Sequence, residues 1–264
     1  MSFPAYVHSV ISSSESADWP IEAQGLNQCG CTAASNALNL LVRTLQFHKD
    51  DFVRQAGLLY QPKLWGGTAS PVTTWLIRRH GFGTHFGNLQ KTDYELVLRD
   101  LIDRGIPVII ELGVVKIGSL AVSGQHSVVL IGYSDPFRDA SGQVREEYYL
   151  VDAQWPQLGT ISLSSNDRDA DGDGVVERFP GNRTLTRQEL RDAYPMRTYF
   201  PVFPTQSDHD AWYRANIRAE TGIPLFSKLA GRLVTGSSDI WVGPARQRAS
   251  QPPTTSIELE RGRT

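Results

Sequence analysis

The stretch QGLNQCGCTAASNAL, which runs from Gln24 to Leu38, contains both cysteines of the chain, Cys29 and Cys31. Alanine and leucine recur at helical spacing from there onwards, which predicts an amphipathic helix that begins near the cysteines. At a helix N-terminus, unpaired backbone N–H groups and the positive end of the helix dipole favour a thiolate. Gly30 leaves room for a substrate beside the sulfur. The stretch therefore predicts a nucleophilic cysteine at the start of a helix.

Other interpretations of the two cysteines have less support. A structural zinc site needs four ligands, and the six histidines show no paired ligand spacing. A disulfide across two positions would close a small, strained ring. A pair of small, buried, unreactive side chains is the simplest alternative. The choice between that alternative and a nucleophile depends on whether the chain supplies a base.

A candidate base and a group to orient it occur later in the chain. His126 opens the apolar segment HSVVLIGY, and Asp152 follows the segment EYYLV, both typical of strands. A thiol nucleophile needs an imidazole to take its proton and a third group to orient that imidazole. Antiparallel strands can bring the Asp152 carboxylate to one ring nitrogen of His126 while the other nitrogen faces the helix. Alone, each would be interpreted as a structural residue, but together with the cysteine they form a candidate triad.

Helical patterns precede strand patterns along the chain. The predicted helices cover 33–45, 50–60, 70–80 and 92–104, the predicted strands cover 106–115, 126–133 and a segment from 147 onwards, and a further helix covers 186–194. Helices followed by strands predict an α+β fold with an antiparallel sheet.

The predicted organisation has one large domain with extensions. An N-terminal arm (1–20) precedes a catalytic domain (21–205), which contains an acidic loop insertion (164–182). A C-terminal extension (206–245) and a disordered tail (246–264) follow, because the tail is polar and contains a proline pair.

Three blocks, QGLNQCGCTAAS, GQHSVVLIGY and YYLVDAQW, resemble the signature blocks of papain-like cysteine peptidases. The likeness is greatest to the bacterial peptidases that trim double-glycine leader peptides and to their stand-alone relatives. The segment LRDLIDRGIPVIIEL (98–112) is similar to the helix and strand before the histidine block of that group. The resemblance implies a papain-like fold, in which the cysteine helix packs on the sheet that carries histidine and aspartate. It also implies a peptide or protein substrate and no cofactor for catalysis.

By this resemblance, Gln24 matches the glutamine that holds the oxyanion together with the backbone N–H of the nucleophile. The pattern Cys-Gly-x-Thr indicates Cys29 as the nucleophile, whereas Cys-Thr-Ala-x-Ser indicates Cys31. Gln24 precedes Cys29 by five positions and Cys31 by seven, and both patterns most often have six. We favour Cys29, because it begins the helix, and keep Cys31 as the alternative nucleophile. Trp155 resembles the tryptophan that shields the histidine–aspartate pair from water.

The segment NDRDADGDGVVERF (166–179) resembles the calcium loops of EF-hands. A frame that starts at Asp169 places glycine at position 6, but it places Pro180 at position 12, where a bidentate carboxylate is expected. The candidate calcium ligands in this frame are Asp169, Asp171, Asp173, Val175 and Glu177. A frame that starts at Asp167 places Arg178 at position 12. A structural calcium ion and a solvated acidic turn are the two hypotheses for this loop.

The composition argues against several classes of function. A net charge of -2 provides no general attraction to nucleic acid or anionic lipid. The apolar runs are strand-sized, so no membrane span is predicted. The N-terminus lacks a basic segment followed by a long apolar core, so a cleaved signal peptide is not expected. Two cysteines are too few for a disulfide framework. We expect a cytoplasmic bacterial protein, or one exported without a cleavable signal peptide.

The leading hypothesis is a cysteine peptidase or amidohydrolase that acts through a thioester on Cys29. An acyltransferase on the same fold would use the same groups and differ only in the acceptor. A calcium-stabilised binding module without catalysis is the alternative from another class. The sequence predicts no particular oligomeric state.

Overall fold

The structure, a computed structural model, describes most of the chain. The described residues are 7–11, 20–25, 27–61, 67–68, 70–90, 92–113, 115–117, 120–122, 126–154, 161–162, 166–219, 237–241, 243 and 256–257. Trp155 lies outside them, as does the predicted disordered tail apart from 256–257.

Five of the six α-helices in the described part of the chain begin and end within four residues of the predicted bounds, and the sixth, Gln206–Asn216, was not predicted. The helices are α1 (Cys29–Val42), α2 (Lys49–Ala56), α3 (Ser70–Arg79), α4 (Tyr94–Asp103), α5 (Arg187–Ala193) and α6 (Gln206–Asn216). Gly105 follows α4 with a φ of 73°, a left-handed conformation that glycine adopts readily at a helix end. Thr186 and Glu189 form a capping box at the start of α5.

The strands are short, and most of them join one sheet. They are β1 (Val7–Ser9), β2 (Pro20–Ile21), β3 (Tyr60–Gln61), β4 (Gly67–Thr68), β5 (Gly87–Asn88), β6 (Val108–Leu112), β7 (Val115–Ile117), β8 (Leu120–Val122), β9 (His126–Ser134), β10 (Phe137–Arg138), β11 (Val144–Arg145), β12 (Glu147–Val151), β13 (Ile161–Ser162), β14 (Arg183–Thr186), β15 (Thr198–Pro201), β16 (Ile217–Ala219), β17 (Ser237–Trp241) and β18 (Ser256–Ile257).

The main sheet has the order β14-β12-β9-β6-β15-β5-β17-β16, and β1 pairs with β9 and β18. Its pairs are antiparallel except for β17 beside β5. The predicted α+β class with an antiparallel sheet is therefore confirmed. Part of the predicted N-terminal arm, Val7–Ser9, belongs to this sheet, where it pairs with Gly132–Ser134 of β9.

Helix α1 lies in the core against β9. Every residue from Gly30 to Leu40 is buried, including two asparagines on the polar side of the sequence pattern. Asn39 Oδ1 accepts from the backbone N–H groups of Gln46 and Phe47, and its Nδ2 donates to the Phe47 carbonyl. The Asn39 amide is tolerated in the core because both of its polar atoms have partners, whereas Nδ2 of Asn36 has none among the described residues. The helix that carries the cysteines is therefore enclosed by the core over most of its length.

Across the residues that the structure describes, no helix has the length and apolar character needed to cross a bilayer.

Candidate active site

The candidate nucleophile lies at the first residue of α1. Cys29 is partly exposed, whereas Cys31 is 0% exposed. The backbone N–H of Thr32 bonds to the Gln28 carbonyl and closes the first turn. The N–H groups of this first turn and the helix dipole add positive potential beside the sulfur of Cys29.

The base and its orienting acid come from two adjacent strands. His126 is the first residue of β9, and Asp152 directly follows β12, which pairs with β9. Nε2 of His126 lies 2.7 Å from Oδ1 of Asp152. The imidazole is also in hydrogen-bonding contact with the Cys29 thiol. Because Asp152 occupies Nε2, Nδ1 is the ring nitrogen left for the thiol.

The contacts within this group favour a charged pair. Burial would raise the pKa of the Cys29 thiol, but hydrogen bonds with His126 and the Ser127 backbone lower it overall. Burial would lower the pKa of His126, but the bonds to Asp152 and Cys29 raise it to about 9. Burial opposes ionisation of Asp152, yet the bonds from His126 and from the Gln154 backbone lower its pKa. All three shifts therefore act toward the charged forms: a thiolate, an imidazolium and a carboxylate.

Cys31, the alternative nucleophile, has a different environment. Its Sγ lies 3.2 Å from Oγ1 of Thr68, on β4. Burial raises the pKa of this thiol to about 11, although the bond to Thr68 partly offsets the effect. A buried, protonated thiol is a poor nucleophile. The structure brings Cys29, and not Cys31, to the imidazole.

Gln24 lies beside the loop that follows Asp152. Its backbone N–H donates to the Ala153 carbonyl, and its Nε2 lies 3.3 Å from Oε1 of Gln154. Its own Oε1 is buried and has no hydrogen-bond partner among the described residues. Gln24, the predicted oxyanion residue, is therefore bonded to the two residues that directly follow Asp152.

The acidic loop brings together three of the five predicted calcium ligands. Carboxylate oxygens of Asp169, Asp171 and Asp173 lie within 4.8 Å of one another. Glu177 lies outside this group, and its Oε2 accepts from the backbone N–H of Ala170. Backbone N–H groups of the loop also bond to these aspartates, including Val175 N to Asp173 Oδ1. Hard carboxylate oxygens suit calcium, so the calcium site stays a prediction with Asp169, Asp171 and Asp173 as its core.

Two residues that bond to Asp152 were not predicted from the sequence. Asn182 Oδ1 accepts from the backbone N–H of Asp152, and its Nδ2 donates to the Asp152 carbonyl. Arg183 donates from Nη1 to Oδ2 of Asp152 at 2.7 Å. Both lie about thirty positions from Asp152 along the chain. No pattern links residues so far apart, because strand pairing between β12 and β14 brings them together.

A thiol at a helix start, facing a histidine and an aspartate on an antiparallel sheet, is the arrangement of the papain-like cysteine peptidases. The model of the Peptidase_C39 like family matches residues 15–162, more than half of the 264-residue chain. The chain belongs to this family, and with it to the papain-like superfamily. Membership supports a cysteine peptidase activity. No curated protein matches the chain.

Proposed function

We propose that this chain is a cysteine peptidase that cleaves a peptide or amide bond through a thioester on Cys29. His126 is the general acid and base, and Asp152 orients it. The observation that carries the proposal is the contact of Cys29 with His126, whose other nitrogen lies 2.7 Å from Asp152. The lowered thiol pKa and the raised imidazole pKa are the shifts that an ion-pair nucleophile needs.

In the first half of the reaction, the Cys29 thiolate attacks the carbonyl carbon and forms the C–S bond. The carbonyl oxygen becomes an oxyanion, which the backbone N–H of Cys29 and the amide of Gln24 would stabilise. Gln24 Nε2 has two hydrogens, so one can donate to Gln154 while the other donates to the oxyanion. As the C–N bond breaks, His126 gives its proton to the departing amine.

In the second half, water attacks the thioester carbon. His126 takes the proton of this water, the C–O bond forms and the C–S bond breaks. The products are a carboxylic acid and the regenerated thiolate. An amine in place of water would give a new amide, so the acceptor decides between hydrolysis and acyl transfer.

Alkylation with iodoacetamide at about pH 6, followed by peptide mapping, tests the nucleophile, because an ordinary thiol is almost fully protonated there. We expect rapid modification at Cys29 alone. Cys29→Ala should remove it, and the matched variant Cys31→Ala should leave it unchanged. Modification that persists in Cys29→Ala and disappears in Cys31→Ala would instead identify Cys31 as the nucleophile.

Incubation with a complex peptide mixture tests the reaction. Mass spectrometry of new N-termini should reveal cleavage by the wild-type chain and none by Cys29→Ala. An added primary amine separates the two acceptors. If amide products outnumber acids at every amine concentration, the chain is an acyltransferase; cleavage that survives in Cys29→Ala contradicts the proposal.

A further inference from the structure

The carboxylate of Asp152 is only 2% exposed, and both of its oxygens are engaged. Oδ1 accepts from His126 Nε2 at 2.7 Å and from the Gln154 backbone N–H at 3.0 Å. Oδ2 accepts from Arg183 Nη1 at 2.7 Å. The arginine side chain is 26% exposed, so it is partly accessible to solvent.

We propose that Arg183 is a positioning residue of this site, which acts through Asp152 by holding its second oxygen and balancing its charge. The inference rests on the proposed function, because it concerns the same histidine and thiol. The guanidinium of Arg183 would then extend the series of thiolate, imidazolium and carboxylate to four groups of alternating charge.

The backbone around Arg183 is fixed to the strand that leads to Asp152. Arg183 pairs with Leu150 at the start of β14. Gly181 has a φ of 76°, and a Cβ atom there would overlap the Leu150 carbonyl oxygen, so only glycine fits. Asn182 bonds to both the N–H and the carbonyl of Asp152. The turn 181–183 is therefore locked in place, and Arg183 needs little ordering to reach Asp152.

Charge balance is the reason that the arginine matters for the reaction. Without it, thiolate, imidazolium and carboxylate would sum to one uncompensated negative charge in a buried place, which is costly. The carboxylate would also hold the imidazolium proton more strongly. His126 would then be a weaker acid toward the departing amine. Among the described residues, the charged groups that face Asp152 are His126 and Arg183, and His126 also faces Cys29.

The rate of Cys29 alkylation by iodoacetamide, measured from about pH 4 to pH 11 with peptide mapping, reports both members of the ion pair. The lower inflection follows ionisation of the thiol, and the upper inflection follows loss of the imidazolium proton. In Arg183→Gln, which keeps a donor but loses the charge, we expect the upper inflection to move to higher pH by about one pH unit. Arg183→Lys, which keeps the charge, should restore it to near the wild-type value.

Arg145→Gln is the matched control, because Arg145 pairs with Asp139 in the β10–β11 hairpin and, within the part of the chain that the structure describes, forms no hydrogen bond or ion pair with Cys29, His126 or Asp152. Arg183→Met is a second charge-free variant, to be used if Arg183→Gln does not unfold cooperatively. A structural role alone would change the melting temperature without moving the inflection.

The outcomes separate the two proposals. If Cys29 is not labelled preferentially in the wild-type chain, the proposed function itself is wrong. A wild-type chain with both inflections, but an upper inflection that is unchanged or lower in the charge-free variants, overturns only the role of Arg183. The same holds if Arg183→Lys behaves like Arg183→Gln.

Discussion

His126 and His209 are both buried, and each has an aspartate oxygen within hydrogen-bonding distance. The distances are 2.7 Å from His126 Nε2 to Asp152 and 2.8 Å from His209 Nδ1 to Asp210. Their charge states nevertheless diverge. The pKa of His126 is raised to about 9, whereas the pKa of His209 is lowered to about 4.

The environment of each pair accounts for the divergence. Burial lowers the pKa of both rings, but Asp152 is 2% exposed and Asp210 is 51% exposed, so solvent weakens only the second interaction. The other ring nitrogen differs as well. His126 faces a thiol that can become an anion, whereas His209 Nε2 lies 2.8 Å from Nδ1 of His85.

The second pair fits a neutral network. His209 Nδ1 can donate to Asp210 Oδ1, His85 Nδ1 to His209 Nε2, and the Tyr199 hydroxyl to His85 Nε2. In this assignment each ring nitrogen has a partner, and His209 is neutral. A short contact to a carboxylate therefore does not decide the charge of a buried histidine; the burial of that carboxylate and the partner of the second nitrogen do.

The largest expected effect comes from removing the charged histidine. In His126→Ala, the thiol loses its hydrogen bond and the nearby cation, so its pKa returns toward the ordinary value. We expect alkylation of Cys29 at about pH 6 to slow by about 100-fold. His209→Ala is the matched variant and should leave the rate unchanged. Equal slowing in both variants would mean that the effect is a general loss of structure.

Replacement of each of the two aspartates by asparagine should have the next largest effect, and only Asp152→Asn should change the alkylation of Cys29. Asp152→Asn removes the carboxylate that holds the His126 proton, so the upper inflection of the Cys29 alkylation profile should fall by one pH unit or more. Asp210→Asn should leave that profile unchanged. An unaltered inflection in Asp152→Asn would show that the thiolate alone keeps the imidazole charged.

The contributions of the two histidines to stability should depend on pH in opposite directions. His209 has a folded-state pKa of about 4, below its unfolded value of about 6.5, so its contribution is complete above pH 6.5 and is lost as the pH falls toward 4. The loss is on the order of 3 kcal/mol in the free energy of unfolding. Urea unfolding at several pH values should show a shallower acid-side slope in His209→Gln.

The raised pKa of His126 has the reverse consequence. Its contribution is present below the unfolded value of about 6.5 and is lost as the pH rises through about 9. Because the lowered pKa of the Cys29 thiol has the opposite pH dependence, the effect is measured in the Cys29→Ala background, where His126→Gln should flatten the alkaline side of the stability profile. An alkaline side that is unchanged in this variant would contradict the assignment.

The second cysteine should matter least to the reaction. Cys31→Ser keeps a group that can bond to Thr68, so we expect less than about a twofold change in the alkylation rate of Cys29. Cys31 itself should stay unlabelled below about pH 9, because its pKa is about 11. Labelling of Cys31 at neutral pH would show that the buried thiol is reached by solvent.

Calcium should have no effect on the protonation of either histidine pair. If the acidic loop binds it, calcium should raise the melting temperature by a few degrees, and Asp171→Asn should remove the increase. The Cys29 alkylation profile should not change on adding a chelator. An unshifted melting temperature at millimolar calcium would leave the loop as a solvated turn.

Much of the fold could be predicted because its signals are local. The recurrence of alanine and leucine places α1, Gly105 ends α4, and the capping box starts α5. The class of site also followed from local blocks around Cys29 and His126. These features depend on neighbours within about one helical turn or one strand.

What could not be predicted depends on contacts between distant segments. Arg183 reaches Asp152 only because β14 pairs with β12, and His85 meets His209 across 124 positions. Strand β1 has three residues, too few for an alternating pattern, and is stabilised by its neighbour β9. Nothing in the sequence near these residues indicates their partners.

The position of the two cysteines on α1 also fixes how the protein responds to oxidants. Residues two apart on a helix point in directions about 200° apart, and Cys31 faces Thr68. Cys31 therefore cannot reach Cys29 to form a disulfide, and the chain has only these two cysteines. A sulfenic acid formed on Cys29 has no resolving thiol within the molecule. Its recovery depends on a thiol from another molecule, and without one the oxidation proceeds to irreversible acids.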